Sequence, residues 1–115
     1  KMIVYCDGGS LDNSKDGKAY GSIAIFHKLD FGAGTNNEAE YKALYNAMKI
    51  VHQTDCVAEF RTDSELIVKQ LSGEYQVKEP RLKILNDAVK VLLADHVNWK
   101  VVYIPREKIM AILGH

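Results

Sequence analysis

Residues 35–51 read TNNEAEYKALYNAMKIV, and residues 56–64 read CVAEFRTDS. The change of period between these two stretches decides the fold. Ala39, Ala43, Leu44, Ala47, Met48 and Val51 recur at helical spacing, which predicts an amphipathic helix over roughly 37–52. Cys56 to Thr62 then reads as a strand. Asp63-Ser64 opens a short helix that stops at Ser72-Gly73, with glycine where helices end. Upstream, residues 2–7 (MIVYCD) are β-branched and aromatic and are broken by Gly8-Gly9-Ser10, so they read as a first strand and turn. A helical crossover joining the first strand region to the strand at 56–62 requires the two to run parallel.

Residues 11–18 form a polar loop, residues 20–27 a second strand, and Lys28 to Ala33 a weaker third strand after a tight connection. The first three strands therefore read as an antiparallel meander. Downstream, residues 74–80 are a connector closed by Pro80. Leu82, Leu85, Ala88, Val89, Leu92 and Leu93 give a helix over about 81–94. Asn98 to Ile104 is a fifth strand ended by Pro105, and residues 107–113 start a last helix that is short or truncated. The order β-β-β-α-β-α-α-β-α implies a mixed sheet with helices packed on it.

At 115 residues the chain has room for one domain, expected over 1–115. With 47% hydrophobic and 26% charged residues it can bury a core, which argues against disorder. No apolar run approaches the ~20 residues of a membrane span, so no membrane partner is expected. No signal-peptide pattern precedes the first strand, which points to a cytoplasmic, intracellular protein. Two cysteines are too few for a disulfide framework or an all-cysteine zinc site. Cys6 and Cys56 fall at opposite ends of neighbouring parallel strands, so they are not expected to pair. A formal net charge of zero argues against a protein held on nucleic acid by bulk positive charge and leaves room for a local track.

The carboxylates carry the chemistry. Asp7 ends the first strand and Asp63 ends the fourth, so parallel strands put both at one sheet edge, where α/β proteins usually place sites. Glu40 lies four before Leu44 and seven before Ala47, on the apolar face of its helix. Glu38 aligns with Lys42, Tyr45 and Lys49 on the other face, as for a solvent-exposed pair with Lys42. A shared cation would explain an acid on a buried face. Three carboxylates without His or Cys favour Mg²⁺ or Mn²⁺ over zinc, and the usual task of such a site is phosphoryl transfer. Taken singly, Asp63 also suits a helix cap before Ser64, and Asp7 a turn before glycine. His27, His52 and His96 show no ligand spacing and read as surface residues; Trp99 reads as packing, and Tyr75 as packing ahead of stacking on a ligand.

At these residues the chain resembles type 1 ribonuclease H. Tyr5-Cys6-Asp7-Gly8-Gly9-Ser10 resembles the family's first-strand motif, and Thr35-Asn36-Asn37-Glu38-Ala39-Glu40-Tyr41 its helix entry. Thr62-Asp63-Ser64 with Leu66-Ile67-Val68 resembles its third motif, and Val102 to Glu107 the approach to its final helix. The resemblance implies a ribonuclease H-like α/β fold with a five-stranded mixed sheet. It also implies hydrolysis of the RNA strand of RNA–DNA hybrids with two Mg²⁺ ions, Mn²⁺ substituting. Asp7, Glu40 and Asp63 would be both catalytic and metal-holding. Gly8, Gly9, Ser10, Asn36, Asn37, Ser64 and Glu65 match positions that contact the hybrid. Backbone N–H groups of a Gly-Gly turn can approach a sugar-phosphate, and Asn amides can read the minor groove where the 2′-OH marks RNA.

Three departures stand out. The family's fourth carboxylate falls eight residues after Pro105, which here is Leu113, and no acid follows Glu107. His115 or water is then the candidate substitute. Glu65 stands where many members carry Gln; it can accept from a 2′-OH, or close a Thr62-x-x-Glu65 capping box. The connector 73–80 is short, and only Lys78, Arg81 and Lys83 cluster there, which predicts few phosphate contacts. Two alternatives stay open: a catalytically weakened nucleic-acid-binding module, and a nuclease of the same fold acting on double-stranded RNA. A monomer is expected, with a swapped dimer as the variant that could complete the site.

Overall fold

The computed structural model describes residues 2–6, 18–20, 23–26, 36–53 and 56–113, with the backbone alone at 18–20, 23–26, Asn36 and Leu113. The described elements are β1 (Met2–Cys6), β2 (Lys18–Tyr20), β3 (Ile23–Phe26), α1 (Asn36–Val51), β4 (Ala58–Thr62), α2 (Glu65–Ser72), α3 (Pro80–Asp95), β5 (Trp99–Tyr103) and α4 (Arg106–Leu113). They form an α/β fold around one sheet with strand order β2-β3-β1-β4-β5.

β1, β4 and β5 are parallel neighbours, with Cys6 opposite Thr62 and Thr62 opposite Tyr103. The parallel relation expected of the first and fourth strands is therefore present. The expected meander is corrected. The antiparallel pair is β2 with β3, and β3 lies parallel to β1. Tyr20 partners Ile23, so Gly21 and Ser22 alone separate the two strands. Gly-Ser is hairpin sequence, and it divides the run that reads as one strand over 20–27. The third strand expected at 28–33 lies outside the described residues.

The sheet's alternation separates two chemistries. Val4, Cys6, Ala58 and Phe60 join Tyr41, Leu44, Met48 and Val51 of α1 in one apolar cluster, with Leu82 and Val89 of α3 and Trp99 of β5. Phe60 meets Trp99 edge-on, at 5.0 Å between centroids and 63° between planes. The intervening residues carry ions: buried Glu59 receives Arg61 Nε at 2.6 Å and Lys100 Nζ at 3.3 Å, and Arg61 Nη1 donates to the Tyr5 hydroxyl at 2.9 Å. Cys6 and Cys56 form no disulfide.

Local chemistry sets the helix ends. The Ser64 hydroxyl caps α2, accepting from Ile67 N at 3.3 Å. Gly73 closes it in the left-handed region at φ 88°, which favours glycine. Pro80 opens α3, where its missing N–H costs nothing. α1 and α3 run parallel, side by side. Arg81 meets Glu38 near their starts, Asn86 meets Tyr41 farther along, and His96 meets His52 just past their ends. No described helix is long and apolar enough to cross a membrane.

Candidate active site

Asp63 is the first residue after β4, on the edge where the parallel strands end. Two bonds shape the bend that holds it. Thr62 Oγ1 accepts from Ser64 N at 3.1 Å, and Ile104 N donates to the Thr62 carbonyl at 2.9 Å, tying the exit of β5 to the exit of β4. The capping role belongs to Ser64, so Asp63 is released from it. The Asp63 side chain is only 6% exposed and lies 3.4 Å from Arg106 Nη1. It also stands at the N-terminal end of α2, where the helix dipole favours an anion. The carboxylate is thus enclosed beside one cationic side chain.

Glu40 lies in the first turns of α1, half-buried. α1 is locked to α2 and α3 by a buried polar chain. The Tyr41 hydroxyl donates to Gln70 Oε1 at 2.6 Å and accepts from Asn86 Nδ2 at 3.1 Å. Gln70 Nε2 reaches the Gln76 carbonyl at 3.4 Å. Burial pushes the Tyr41 phenol's pKa up, while the Asn86 bond pulls it partly back. The residue following Glu40 is thus fixed to the helix that follows Asp63.

The expected division of acids on α1 is corrected. Glu38 is 6% exposed, not on an open face, and Arg81 Nη1 lies 3.7 Å from it. The reason is that α1 is covered twice, by the sheet and by α3, so its buried arc is wider than one apolar stripe. Burial therefore does not single out Glu40.

The other candidates divide as follows. Asp7, Gly8, Gly9, Ser10 and His115 lie outside the described residues, as does the side chain of Asn36. Asn37 is half-buried in the first turn of α1. Ser64 is buried and used as the α2 cap. Glu65 is exposed and pairs with Lys69 at 3.1 Å, so the capping box with Thr62 is replaced by an i,i+4 ion pair. Lys78 is exposed, Arg81 is engaged with Glu38, and Lys83 pairs with Asp87 at 2.7 Å. Two of the three connector cations thus face acids. Tyr75 is 45% exposed with Lys69 over its ring, and Trp99 is buried, its Nε1 donating to the Cys56 carbonyl at 3.1 Å. Arg106 went unnoticed in the sequence. Its signal was there: it follows Pro105 just past β5, whose last residue partners Thr62.

Glu40 and Asp63 offer only carboxylate oxygens, a donor set that fits a hard cation. Among the described residues no group of three or more His, Cys, Asp or Glu is gathered at metal-holding geometry. Asp7, the third expected acid, is outside them.

Residues 1–105 match the family described as RNase H. Ribonuclease HI of Halobacterium salinarum is 35% identical over 115 aligned residues, covering 92% of this chain and 57% of that protein. The chain thus spans little more than half the length of that relative. Among solved structures, LC11-RNase H1 isolated from compost by a metagenomic approach superposes with a TM-score of 0.75 at 34% identity, covering 96% of this chain and 89% of that one. The same LC11-RNase H1 in complex with RNA/DNA hybrid gives a TM-score of 0.72 at 32% identity, covering 96% and 90%.

Proposed function

The chain belongs to the type 1 RNase H family, and from that premise we propose that it is a metal-dependent endonuclease hydrolysing the RNA strand of RNA–DNA hybrids. The observation that carries this reading is the parallel pairing of Cys6 with Thr62. The acids at 7 and 63 follow these partnered residues directly, which supports a shared site at one sheet edge. Glu40 is the third acid of the proposal, carried on a helix whose next residue is fixed to α2. The complex of LC11-RNase H1 with RNA/DNA hybrid supports the substrate class.

Asp7, Glu40 and Asp63 would hold two Mg²⁺ ions, with Mn²⁺ able to replace them. Such ions supply an activated water and stabilisation of the leaving oxygen. The remaining work belongs to the chain. Arg106 gives Asp63 a counter-charge, and the Thr62–Ser64 bond shapes the bend that carries it. Gly8, Gly9 and Ser10 are proposed to approach the sugar-phosphate, and Asn36 and Asn37 to read the minor groove and the 2′-OH. The five-stranded mixed sheet forms the platform.

One observation favours a second reading, a weakened binding module: α4 carries no acid after Glu107, and its Arg106 lies against Asp63. Cleavage of a labelled hybrid with Mg²⁺ and with Mn²⁺ separates the two. The enzyme reading expects wild-type cleavage of the RNA strand and loss of at least about 100-fold in Asp63→Asn, the scale of a lost charge-stabilising group. Hybrid binding without cleavage in both metals supports the second reading. Faster cleavage of double-stranded RNA than of hybrid overturns the substrate assignment.

A further inference from the structure

At the opposite end of the parallel strands stands a group that the nuclease reading does not use. His52 follows α1 directly, and His96 caps the end of α3. Forty-four residues apart in sequence, His52 Nδ1 and His96 Nε2 stand 2.5 Å apart. The rings are nearly perpendicular, at 89°, so they do not stack on each other; their nitrogens meet. As neutral rings they meet as an N–H donor and a lone-pair acceptor; with the donor ring in its other tautomer both lone pairs face one point, the arrangement that binds a metal ion.

Three features favour a metal ion. First, α1 and α3 are parallel and both end here, so two negative helix termini converge on one point, and each favours positive charge. Second, the ligands are held in place. The His96 ring lies flat on Trp99, 3.8 Å between centroids and 8° between planes, and Trp99 is itself pinned by its bond to the Cys56 carbonyl. His52 N donates to the Met48 carbonyl at 2.7 Å, continuing the helix to the ligand. Third, the geometry is within reach. With metal–nitrogen bonds of about 2.0–2.1 Å at a tetrahedral angle, two imidazole nitrogens stand about 3.3 Å apart. The rings need to part by less than about 1 Å, and His52 is exposed and free to turn that far.

We propose that His52 and His96 form a site for a borderline divalent transition-metal ion of the Zn²⁺, Ni²⁺ or Cu²⁺ class, distinct from the carboxylate edge. Two protein ligands leave the other positions to water, so the site is open. Imidazole donors select this class over Mg²⁺, and the order of affinity follows Cu²⁺ above Ni²⁺ and Zn²⁺, with Mn²⁺ weakest. A bound ion fastens the ends of α1 and α3 together over Trp99, the first residue of β5.

The test is calorimetric titration of the whole chain with Ni²⁺ and, separately, Zn²⁺, with histidine side-chain NMR as the second readout. One ion per chain is expected at the imidazoles, read from shifts at His52 and His96 and counted apart from any ion taken up at the carboxylate edge. His52→Ala and His96→Phe, the latter keeping an aromatic ring on Trp99, should each weaken binding at least tenfold. Asp63→Asn should leave it unchanged, which separates this site from the nuclease reading whether or not that reading holds. Retention of wild-type affinity in His52→Ala overturns the proposal. So does a loss in Cys56→Ser equal to that in the histidine variants, which would make it a thiol site. Absence of any shift at the imidazoles on adding Ni²⁺ overturns it too, leaving an imidazole–imidazole hydrogen bond only.

Discussion

Replacing Tyr41 by Phe removes one oxygen and should cost far more than its size suggests. The hydroxyl is the only described partner of Asn86, whose residue is fully buried and whose Oδ1 already lacks a hydrogen bond. Tyr41→Phe leaves the whole Asn86 amide unpartnered and takes the donor from Gln70 Oε1. Each buried polar group so stranded costs about 1–3 kcal/mol, so the pair should cost about 2–4 kcal/mol after some relaxation. That is a large part of the roughly 5–15 kcal/mol available to a domain. Asn86→Leu is the contrasting change. It removes the stranded Oδ1 along with the donor, and Tyr41 keeps its bond to Gln70. Its net cost should stay within about 1 kcal/mol, because deleting a polar group is cheaper than orphaning one. Urea unfolding followed by Trp99, the single tryptophan, reads both variants. With a urea slope of about 1.5–2 kcal/mol/M, Tyr41→Phe should lower the midpoint by about 1–2.7 M. A Tyr41→Phe cost under about 0.5 kcal/mol, or an Asn86→Leu cost above that of Tyr41→Phe, refutes the reasoning.

Other consequences can be measured directly. The raised phenol pKa of Tyr41 carries a pH dependence of known sign. Above the ordinary pKa near 10 the unfolded chain loses this proton while the folded chain keeps it. Stability is therefore full below about pH 10 and falls as pH rises from there through the folded value. Tyr41→Phe should lack that component of alkaline unfolding, and identical alkaline limbs would rule it out. Ser64→Ala removes the α2 cap and should cost about 1 kcal/mol, with Ser64→Asp recovering part of it; equal stability of all three would deny the cap a role. Phe60→Ala, at a fully buried position facing Trp99, should cost about 3–5 kcal/mol in the same urea assay. Hybrid binding should weaken only shallowly with salt, because Arg81 and Lys83 already face acids. A log–log slope typical of eight or more phosphates, near −7, would contradict that.

The parts of the fold that could be read in advance are those set by local chemistry. Gly73, Pro80 and Pro105 punctuate the chain, and α2, α3 and β5 begin or end within a residue or two of where those residues predict. The parallel relation of β1 to β4 followed from the crossover alone. What escaped depends on which elements meet. A period analysis assumes one buried stripe per helix, but α1 is covered by the sheet and by α3, so Glu38 is buried despite lying off the stripe. Arg81 read as a phosphate contact because its acid partner lies 43 residues earlier. His52 and His96 showed no ligand spacing because two helices, not one, supply them. The Gly21-Ser22 separation was visible, yet the apolar run across it outweighed the turn signal.

The parallel packing of α1 and α3 poses an electrostatic problem that links these features. Side-by-side parallel helices bring like ends of their dipoles together, positive at one end and negative at the other. At the positive end the chain provides buried Glu38 in the first turn of α1, with Arg81 of α3 limiting the cost of burying that acid. Between the ends, Tyr41, Gln70 and Asn86 join the helices through neutral groups, which adds no charge to either end. At the negative end no Lys or Arg stands on the last turn of α3, and α1 has only Lys49 there. The facing nitrogens of His52 and His96 stand where that deficit lies, so a cation held between them, as proposed above, would offset it.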